Sequence, residues 1–170
     1  MTIKHLGGIF GRNPTFNDVT IDGGIYIGGN TSSNLLDDYE EGIHISGITC
    51  GTSGTVNLQS NYRLSYTKVG DMVHVQGYLY VGSVSSPVGN FQISLPFTAA
   101  NLADQSGASA VALYLTNVTA ANVGDFVGKI DEGNAYATVF LGDSNAAQAD
   151  SANELKSGSQ IYISATYKAA

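Results

Sequence analysis

Apolar residues occupy alternate positions in five separate segments of the sequence between residues 73 and 167. This period of two is typical of β-strands that bury one face, whereas an amphipathic helix repeats every 3.6 residues. Turn-forming stretches such as Val69-Gly70-Asp71 and Asp131-Glu132-Gly133-Asn134 separate the segments. The residues predicted to face the core are Val73, Val75, Leu79 and Val81; Phe91, Ile93 and Leu95; Val111, Leu113 and Leu115; Ala135, Ala137, Val139 and Leu141; and Ile161, Ile163, Ala165 and Tyr167.

Many short strands divided by turns predict an all-β domain over residues 43–170. We expect an antiparallel β-sandwich of the jelly-roll type, because two packed layers would bury one apolar face of every strand. A helical turn or two is expected only near residues 146–155.

The opposite faces of the predicted strands are rich in tyrosine. Exposed aromatic patches usually mark contact sites, so some of these rings are expected to meet something other than water. Two interpretations stay open at this stage, a subunit interface and a glycan-facing surface. The candidate residues are Tyr78, Tyr80, Tyr114, Tyr136 and Tyr162.

Residues 1–33 form a glycine-rich segment with too few apolar residues for a core of its own. Its apolar residues alternate on either side of the turn signal Asp22-Gly23-Gly24, which predicts an extended arm containing a short β-ribbon. Because such a ribbon is marginal in isolation, we expect the arm to dock on another protein; the alternative is a flexible tail. The candidate docking residues are Ile9, Phe10, Phe16, Val19 and Ile21.

Charge and cysteine content exclude several classes of protein. The formal net charge is -7, with seven Lys and Arg in 170 residues, which argues against binding nucleic acid. No apolar run approaches the ~20 residues of a membrane span, and the N-terminus lacks the apolar region of a signal peptide. Synthesis in a cytoplasm is therefore expected. A single cysteine, Cys50, rules out an intrachain disulfide.

Residues 34–42 form an acidic segment that we interpret as a hinge between the arm and the β domain. Its acids, Asp37, Asp38, Glu40 and Glu41, lack the ligand spacing of a calcium loop. Adjacent residues in a linker also do not promise the separated carboxylate pair of a glycosidase. The histidines (His5, His44 and His74) show no metal spacing, and Cys50 has no evident base. The sequence predicts no catalytic residue, no metal site and no cofactor, and hence a protein that is not an enzyme.

Several segments, in the same order, resemble structural proteins of tailed bacteriophages, particularly tail fibres and head-associated proteins of marine phages. The resemblance covers roughly residues 35–168. In that family the matching β domain is C-terminal. After Gly42 this chain departs from the usual pattern and continues Ile43-His44-Ile45-Ser46-Gly47. The matching segments are LDDYEEG at 36–42, YTKVGDMV at 66–73, LPFTAA at 95–100, GKIDEG at 128–133 and GSQIYISATY at 158–167.

The resemblance implies a homotrimeric virion protein on the outer surface of the particle, attached by its N-terminal arm to the major capsid protein or to a tail protein. The short chain leads us to expect a capsid decoration or cement protein first. The alternative is a short tail fibre or head fibre whose β domain binds a receptor, with a host surface glycan as one candidate partner. A carbohydrate-active enzyme is the distant alternative.

Overall fold

The computed structural model describes residues 17–18, 20–27, 35–36, 38–119, 126–143, 146–148 and 150–170. Over these residues the protein is all-β, with one turn of 3-10 helix at Ser151–Glu154. The chain divides into two compact units, Met1–Asp37 and Asp38–Ala170. The boundary between them falls inside the acidic segment that the sequence analysis treats as a hinge.

The first unit contains two short strands, β1 (Ile25–Tyr26) and β2 (Leu35–Leu36), which pair antiparallel. A short β-ribbon is thus present, but its strand partner differs from the predicted one. Ile25 pairs with Leu36 of β2, and not with a residue on the other side of the Asp22-Gly23-Gly24 turn. Gly24 adopts a left-handed conformation with φ 88°, which glycine takes without steric cost. A local turn signal thus marks a bend here, while the strand partner comes from farther along the chain.

The second unit contains eleven strands in the described residues. Residues 39–42 of the acidic segment belong to the first of them. These strands are β3 (Tyr39–His44), β4 (Ile48–Cys50), β5 (Ser53–Leu58), β6 (Leu64–Val69), β7 (Met72–Val88), β8 (Phe91–Ser94), β9 (Ser109–Thr116), β10 (Phe126–Ile130), β11 (Tyr136–Asp143), β12 (Ala146–Gln148) and β13 (Gln160–Lys168).

Eight of these strands close into an antiparallel barrel in the order β13-β9-β10-β11-β8-β4-β5-β7, with β7 returning to β13. Strand β7 makes closure possible because it has 17 residues. Its first part pairs with β13 and β6, and its last part pairs with β5. Outside the ring, β6 and β3 continue the sheet, and β12 pairs with β11.

The predicted jelly-roll sandwich is not confirmed, because the sheet closes on itself. Alternation tells which face of a strand is buried, but it carries no information on whether the first and last strands of a sheet meet. Here nine residue pairs join β13 to β7, from Gln160 opposite Tyr80 to Lys168 opposite Met72. Within the ring, closure leaves no open edge, whereas the sheet outside the ring still ends at β3 and at β12 among the described strands.

Most residues predicted to face inward are buried in the barrel interior. Val73, Val75, Leu79 and Val81 of β7 are all 0% exposed, and the same holds for Phe91. Leu113, Leu115 and Leu141 are half-buried, while Ala135 is exposed just before β11 begins. Because this alternation directs the intervening residues outward, the outer face of the barrel carries the predicted tyrosines.

Candidate functional site: a tyrosine ladder on the outer face of the barrel

Three neighbouring strands place tyrosines at the same level of the outer face. Tyr162 of β13 lies directly opposite Tyr78 of β7 on one side and Tyr114 of β9 on the other. Its flanking residues Ile161 and Ile163 are buried, which fixes Tyr162 outward. The three side chains therefore form a cross-strand row, in which directly opposed residues are within contact distance.

The rings of this row touch, and two further tyrosines extend it. Tyr78 and Tyr162 are stacked, with centroids 4.6 Å apart and an interplanar angle of 19°. Tyr114 is tilted against Tyr162 at 5.8 Å. Tyr62 meets Tyr78 edge to face at 4.8 Å and stacks on Tyr80 at 5.2 Å. We call these five residues (Tyr114, Tyr162, Tyr78, Tyr62 and Tyr80) the tyrosine ladder.

Exposure decreases along the tyrosine ladder from Tyr114, at 64%, to Tyr162, at 42%, and then to the half-buried Tyr78. The neighbouring groups exclude water from the Tyr78 phenol and thereby raise its pKa above the ordinary value. Repulsion from the phenols of Tyr162, Tyr62 and Tyr80 adds smaller contributions in the same direction. Ionisation of the Tyr78 phenol is therefore less favourable than that of a free tyrosine.

An open groove of about 510 Å³ runs beside the ladder. Tyr78, Tyr114 and Tyr162 line it together with small and polar residues, including Ser65 and Ser164. Among the described residues that line the groove, none carries a charge. The site is thus amphipathic: it offers aromatic rings, hydroxyl groups and one side-chain amide, that of Gln76.

Four of the five tyrosines predicted as contact residues come together in this ladder, namely Tyr78, Tyr80, Tyr114 and Tyr162. Tyr136 does not join them, because it lies on β11 opposite Ser94 of β8, three strands from β13 around the ring. Tyr62, which lies in the connection before β6, is not among the tyrosines predicted from the sequence. No alternation extends over that connection, so only its proximity to the aromatic pair Tyr78 and Tyr80 in three dimensions identifies it.

Of the candidate docking residues, Ile21 is described and is 47% exposed. Ile9, Phe10, Phe16 and Val19 lie outside the described residues. The docking role therefore remains a prediction.

Three of the four acids of the predicted hinge contact partners in the second unit, while Asp37 lies outside the described residues. Asp38 forms an ion pair with Lys68, and Glu40 accepts a hydrogen bond from the Tyr66 hydroxyl at 2.5 Å. Glu41 accepts a hydrogen bond from Tyr39 at 3.0 Å. Within the described part of the chain, no cluster of three or more His, Cys, Asp or Glu side chains is arranged to hold a metal ion.

One serine–histidine pair warrants comparison with a nucleophile and its base. His44 Nε2 lies 3.1 Å from Ser94 Oγ, and burial lowers the pKa of the imidazole. The Ser94 hydroxyl, however, also accepts the backbone N–H of Gly47 at 2.9 Å and lies 3.4 Å from the Ser46 hydroxyl. These contacts hold residues 45–47 against β8, so the His44–Ser94 pair has a structural role.

Cys50 is half-buried, and burial raises the pKa of its thiol, which keeps the sulfur in the less nucleophilic protonated form.

In the ranges that the structure covers, no helix has the length and apolar character needed to cross a membrane.

The fold of the chain is similar to part of a known protein. No protein-family model and no curated protein matches the sequence. Among solved structures, the Dettilon tailspike protein (gp208) matches with a TM-score of 0.65 and 19% sequence identity. The match covers 76% of this chain and 24% of the tailspike chain, so this chain corresponds to about a quarter of that protein's length. At this identity the similarity establishes a shared fold.

Proposed function

We propose that this protein is a non-enzymatic structural component of a bacteriophage virion and that its β domain is a surface module of a tail appendage. The observation that carries the proposal is the fold shared with a segment of the Dettilon tailspike protein over 76% of this chain. The phage-like segments between residues 36 and 167 support it independently, since they were identified from sequence alone.

The outer face of the barrel has the features of a binding surface. The tyrosine ladder presents two well-exposed rings, those of Tyr114 and Tyr162, next to an uncharged groove. Tyrosine is enriched at binding surfaces, because its ring supplies apolar area and its hydroxyl group supplies a hydrogen bond. On a tail appendage this face would meet the surroundings of the particle or the neighbouring subunit.

Attachment through the N-terminal segment and assembly as a homotrimer are part of the proposal. Exposed apolar side chains in the first unit, at Ile21, Ile25 and Tyr26, offer a surface for a partner in the particle. Three linked chains would gain avidity, because binding of the first segment raises the effective concentration of the other two.

We propose the tail, and not the capsid, as the location of this protein on the particle. Sequence considerations place a capsid decoration or cement protein first, but the fold similarity is to a tail protein. The non-enzymatic assignment is supported by the engagement of Asp38, Glu40 and Glu41 with neighbouring side chains.

Immunogold electron microscopy of phage particles produced in cells that express this protein tests the proposal. An antibody raised against the full chain is expected to label the tail or its tip in a few copies per particle. Labelling spread over the head in many copies would overturn the tail assignment and favour decoration of the capsid. Particles without any label would overturn the virion assignment itself.

A further inference from the structure

We propose that Asp22 is a site of spontaneous covalent modification, at which the chain isomerises to isoaspartate through a succinimide ring. The site is the dipeptide Asp22-Gly23, and no other aspartate or asparagine of the 170 residues is followed by glycine. The inference concerns the chemistry of the first unit, so it goes beyond the proposed function and does not depend on it.

The reaction needs no reagent other than water. The backbone nitrogen of Gly23 attacks Cγ of the Asp22 carboxyl group; an N–Cγ bond forms, a Cγ–O bond breaks, and the oxygen leaves as water with the amide proton. Water then opens the ring. Attack at Cγ restores aspartate, whereas attack at the backbone carbonyl carbon breaks its bond to nitrogen and leaves Gly23 joined through Cγ. The water released is the water taken up, and no electron is transferred.

Glycine at position 23 removes the steric obstacle to ring closure. The nitrogen can approach Cγ only in backbone conformations that a side chain on the following residue hinders. Open space surrounds Gly23, since a Cβ atom placed there would meet nothing within 4 Å. The surroundings therefore leave room for the chain to reach the reactive conformation.

The reacting groups are accessible and unrestrained. Asp22 and Gly23 are exposed and lie in a bend just before β1. Within the part of the chain that the structure describes, neither the Asp22 carboxylate nor the Gly23 N–H has a hydrogen-bond partner. Only two residue pairs join β1 to β2, and so short a ribbon restrains the preceding bend little.

Other aspartates in loops are held by hydrogen bonds. The Asp104 carboxylate accepts the N–H of Ser106 at 3.2 Å and its hydroxyl at 2.7 Å. The Asp150 carboxylate accepts the N–H of Gly89 at 3.0 Å. These bonds fix the carboxylate away from the nitrogen of the following residue, so isomerisation is expected at Asp22 first.

Isomerisation changes the backbone of the first unit. Isoaspartate adds the Cβ atom of residue 22 to the main chain and turns the former backbone carboxyl group into a side group. The lengthened stretch lies between Ile21 and Ile25, whose side chains are 47% and 46% exposed. The relative placement of these two apolar side chains therefore changes as the protein ages.

Incubation of the full-length protein at neutral pH and physiological temperature tests the inference. Samples taken over several weeks are digested with trypsin, and electron-transfer fragmentation of the peptide 13–63 locates isoaspartate. We expect isoaspartate to accumulate at position 22 roughly tenfold faster than at Asp18, an exposed residue of the same unit that is followed by the β-branched Val19. The rate should lie within roughly threefold of that of a synthetic peptide of residues 17–27, because the fold leaves the site unrestrained.

Two variants separate the reaction from other changes in the aged protein. Gly23→Val should lower the rate at position 22 roughly tenfold, because the branched side chain obstructs ring closure. Asp22→Glu should abolish the modification, because the longer side chain forms a six-membered ring far more slowly. Both positions are exposed in the first unit, so the second unit should unfold at the same temperature in these variants as in the wild type.

Each contrary result overturns the inference. These are the absence of isoaspartate at position 22 when the peptide has isomerised, equal rates at Asp22 and Asp18, and an unchanged rate in Gly23→Val. A full-length protein that isomerises more than roughly tenfold slower than the peptide would show that the first unit restrains the site, contrary to the structural argument. Immunogold labelling is independent of this assay, so neither result decides the other.

Discussion

The hydroxyl group of Tyr66 donates a hydrogen bond to Glu40 Oε1 at 2.5 Å, while the Tyr66 ring covers the backbone at Gly42. These contacts join β6 to β3, where Gly42 and Tyr66 are paired residues. Two residues farther along β6, Lys68 forms its ion pair with Asp38, the residue just before β3. The acidic segment is thus fastened to the segment 66–73, and two motifs that look separate in the sequence form one contact.

Gly42→Ala should destabilise the second unit through this contact. A Cβ atom at position 42 would lie 2.7 Å from Tyr66 Oη and 2.9 Å from Cζ, so the ring would have to move. We expect a loss of about 1–3 kcal/mol in the free energy of unfolding, the usual cost of overpacking, measured by urea denaturation. In a Tyr66→Ala background the same substitution should cost much less, because the obstructing ring is gone.

Gly47→Ala is the matched control, since a Cβ atom there would meet nothing within 4 Å. An equal loss at positions 42 and 47 would show that the ring contact is not the cause.

Gly77→Ala should be more damaging, because the obstruction is backbone. A Cβ atom there would lie 2.4 Å from the Arg63 carbonyl oxygen and 2.8 Å from Leu64 Cδ2. Position 77 pairs with both Leu64 and Ile163, at the point where β7 holds β6 and β13 together. We expect a loss of about 3 kcal/mol or more, measured by thermal and urea unfolding.

Gly82→Ala lies on the same strand and provides the comparison. Its Cβ atom would come no nearer than 3.3 Å, to Gln59 Cγ, so a small effect is expected. Similar melting temperatures for Gly77→Ala and the wild type would refute the packing argument.

Tyr167→Phe should change the stability of the protein at alkaline pH. Tyr167 is 2% exposed, and burial raises the pKa of its phenol to about 12; the hydrogen bond that the Phe97 N–H donates to the phenol oxygen opposes this shift. The folded state thus favours the neutral phenol. The contribution of the neutral phenol to the free energy of unfolding is complete below pH 10. As the pH rises from 10 to 12, about 2 kcal/mol of this contribution is lost.

At pH 8 the Tyr167→Phe variant should lose about 1–3 kcal/mol, because the N–H and carbonyl of Phe97 lose their partner. Between pH 10 and 12 it should show a shallower decline than the wild type in urea titrations. Tyr114→Phe, which removes an exposed phenol, is the control. Parallel declines for the wild type and Tyr167→Phe would contradict the assignment.

Acidification should destabilise the folded protein through the buried imidazole of His44. Burial lowers the pKa of this imidazole, so the unfolded chain binds the proton more readily than the folded one. Stability associated with His44 is therefore present above about pH 6.5 and is lost as pH falls through the lower folded pKa. The His44→Gln variant should lack this part of the pH dependence between pH 7 and 5, measured by thermal unfolding.

His74→Gln provides the control, because His74 is exposed on the outer face and contacts Thr166 Oγ1 at 3.0 Å. If His44→Gln and His74→Gln follow the same pH profile, burial of His44 does not govern the acid response.

Local pattern accounts for the part of the site that could be predicted. Tyr78 and Tyr162 are recognisable as outward residues because their neighbours Leu79 and Ile161 are apolar, and alternation is a property of a few consecutive residues. Which tyrosines meet depends on the strand order, which no local pattern specifies. Tyr136 has the same sequence context as the others, yet β11 carries it to another part of the barrel.

The sequence by itself determined the all-β class and which residues of most strands are buried. It determined these because burial alternates with a period of two along each strand. Only the tertiary structure decided that the sheet closes, that β1 pairs with β2, and that Tyr62 completes the tyrosine ladder. These features depend on pairing between residues distant in sequence, where register and closure follow from the packing of the whole barrel.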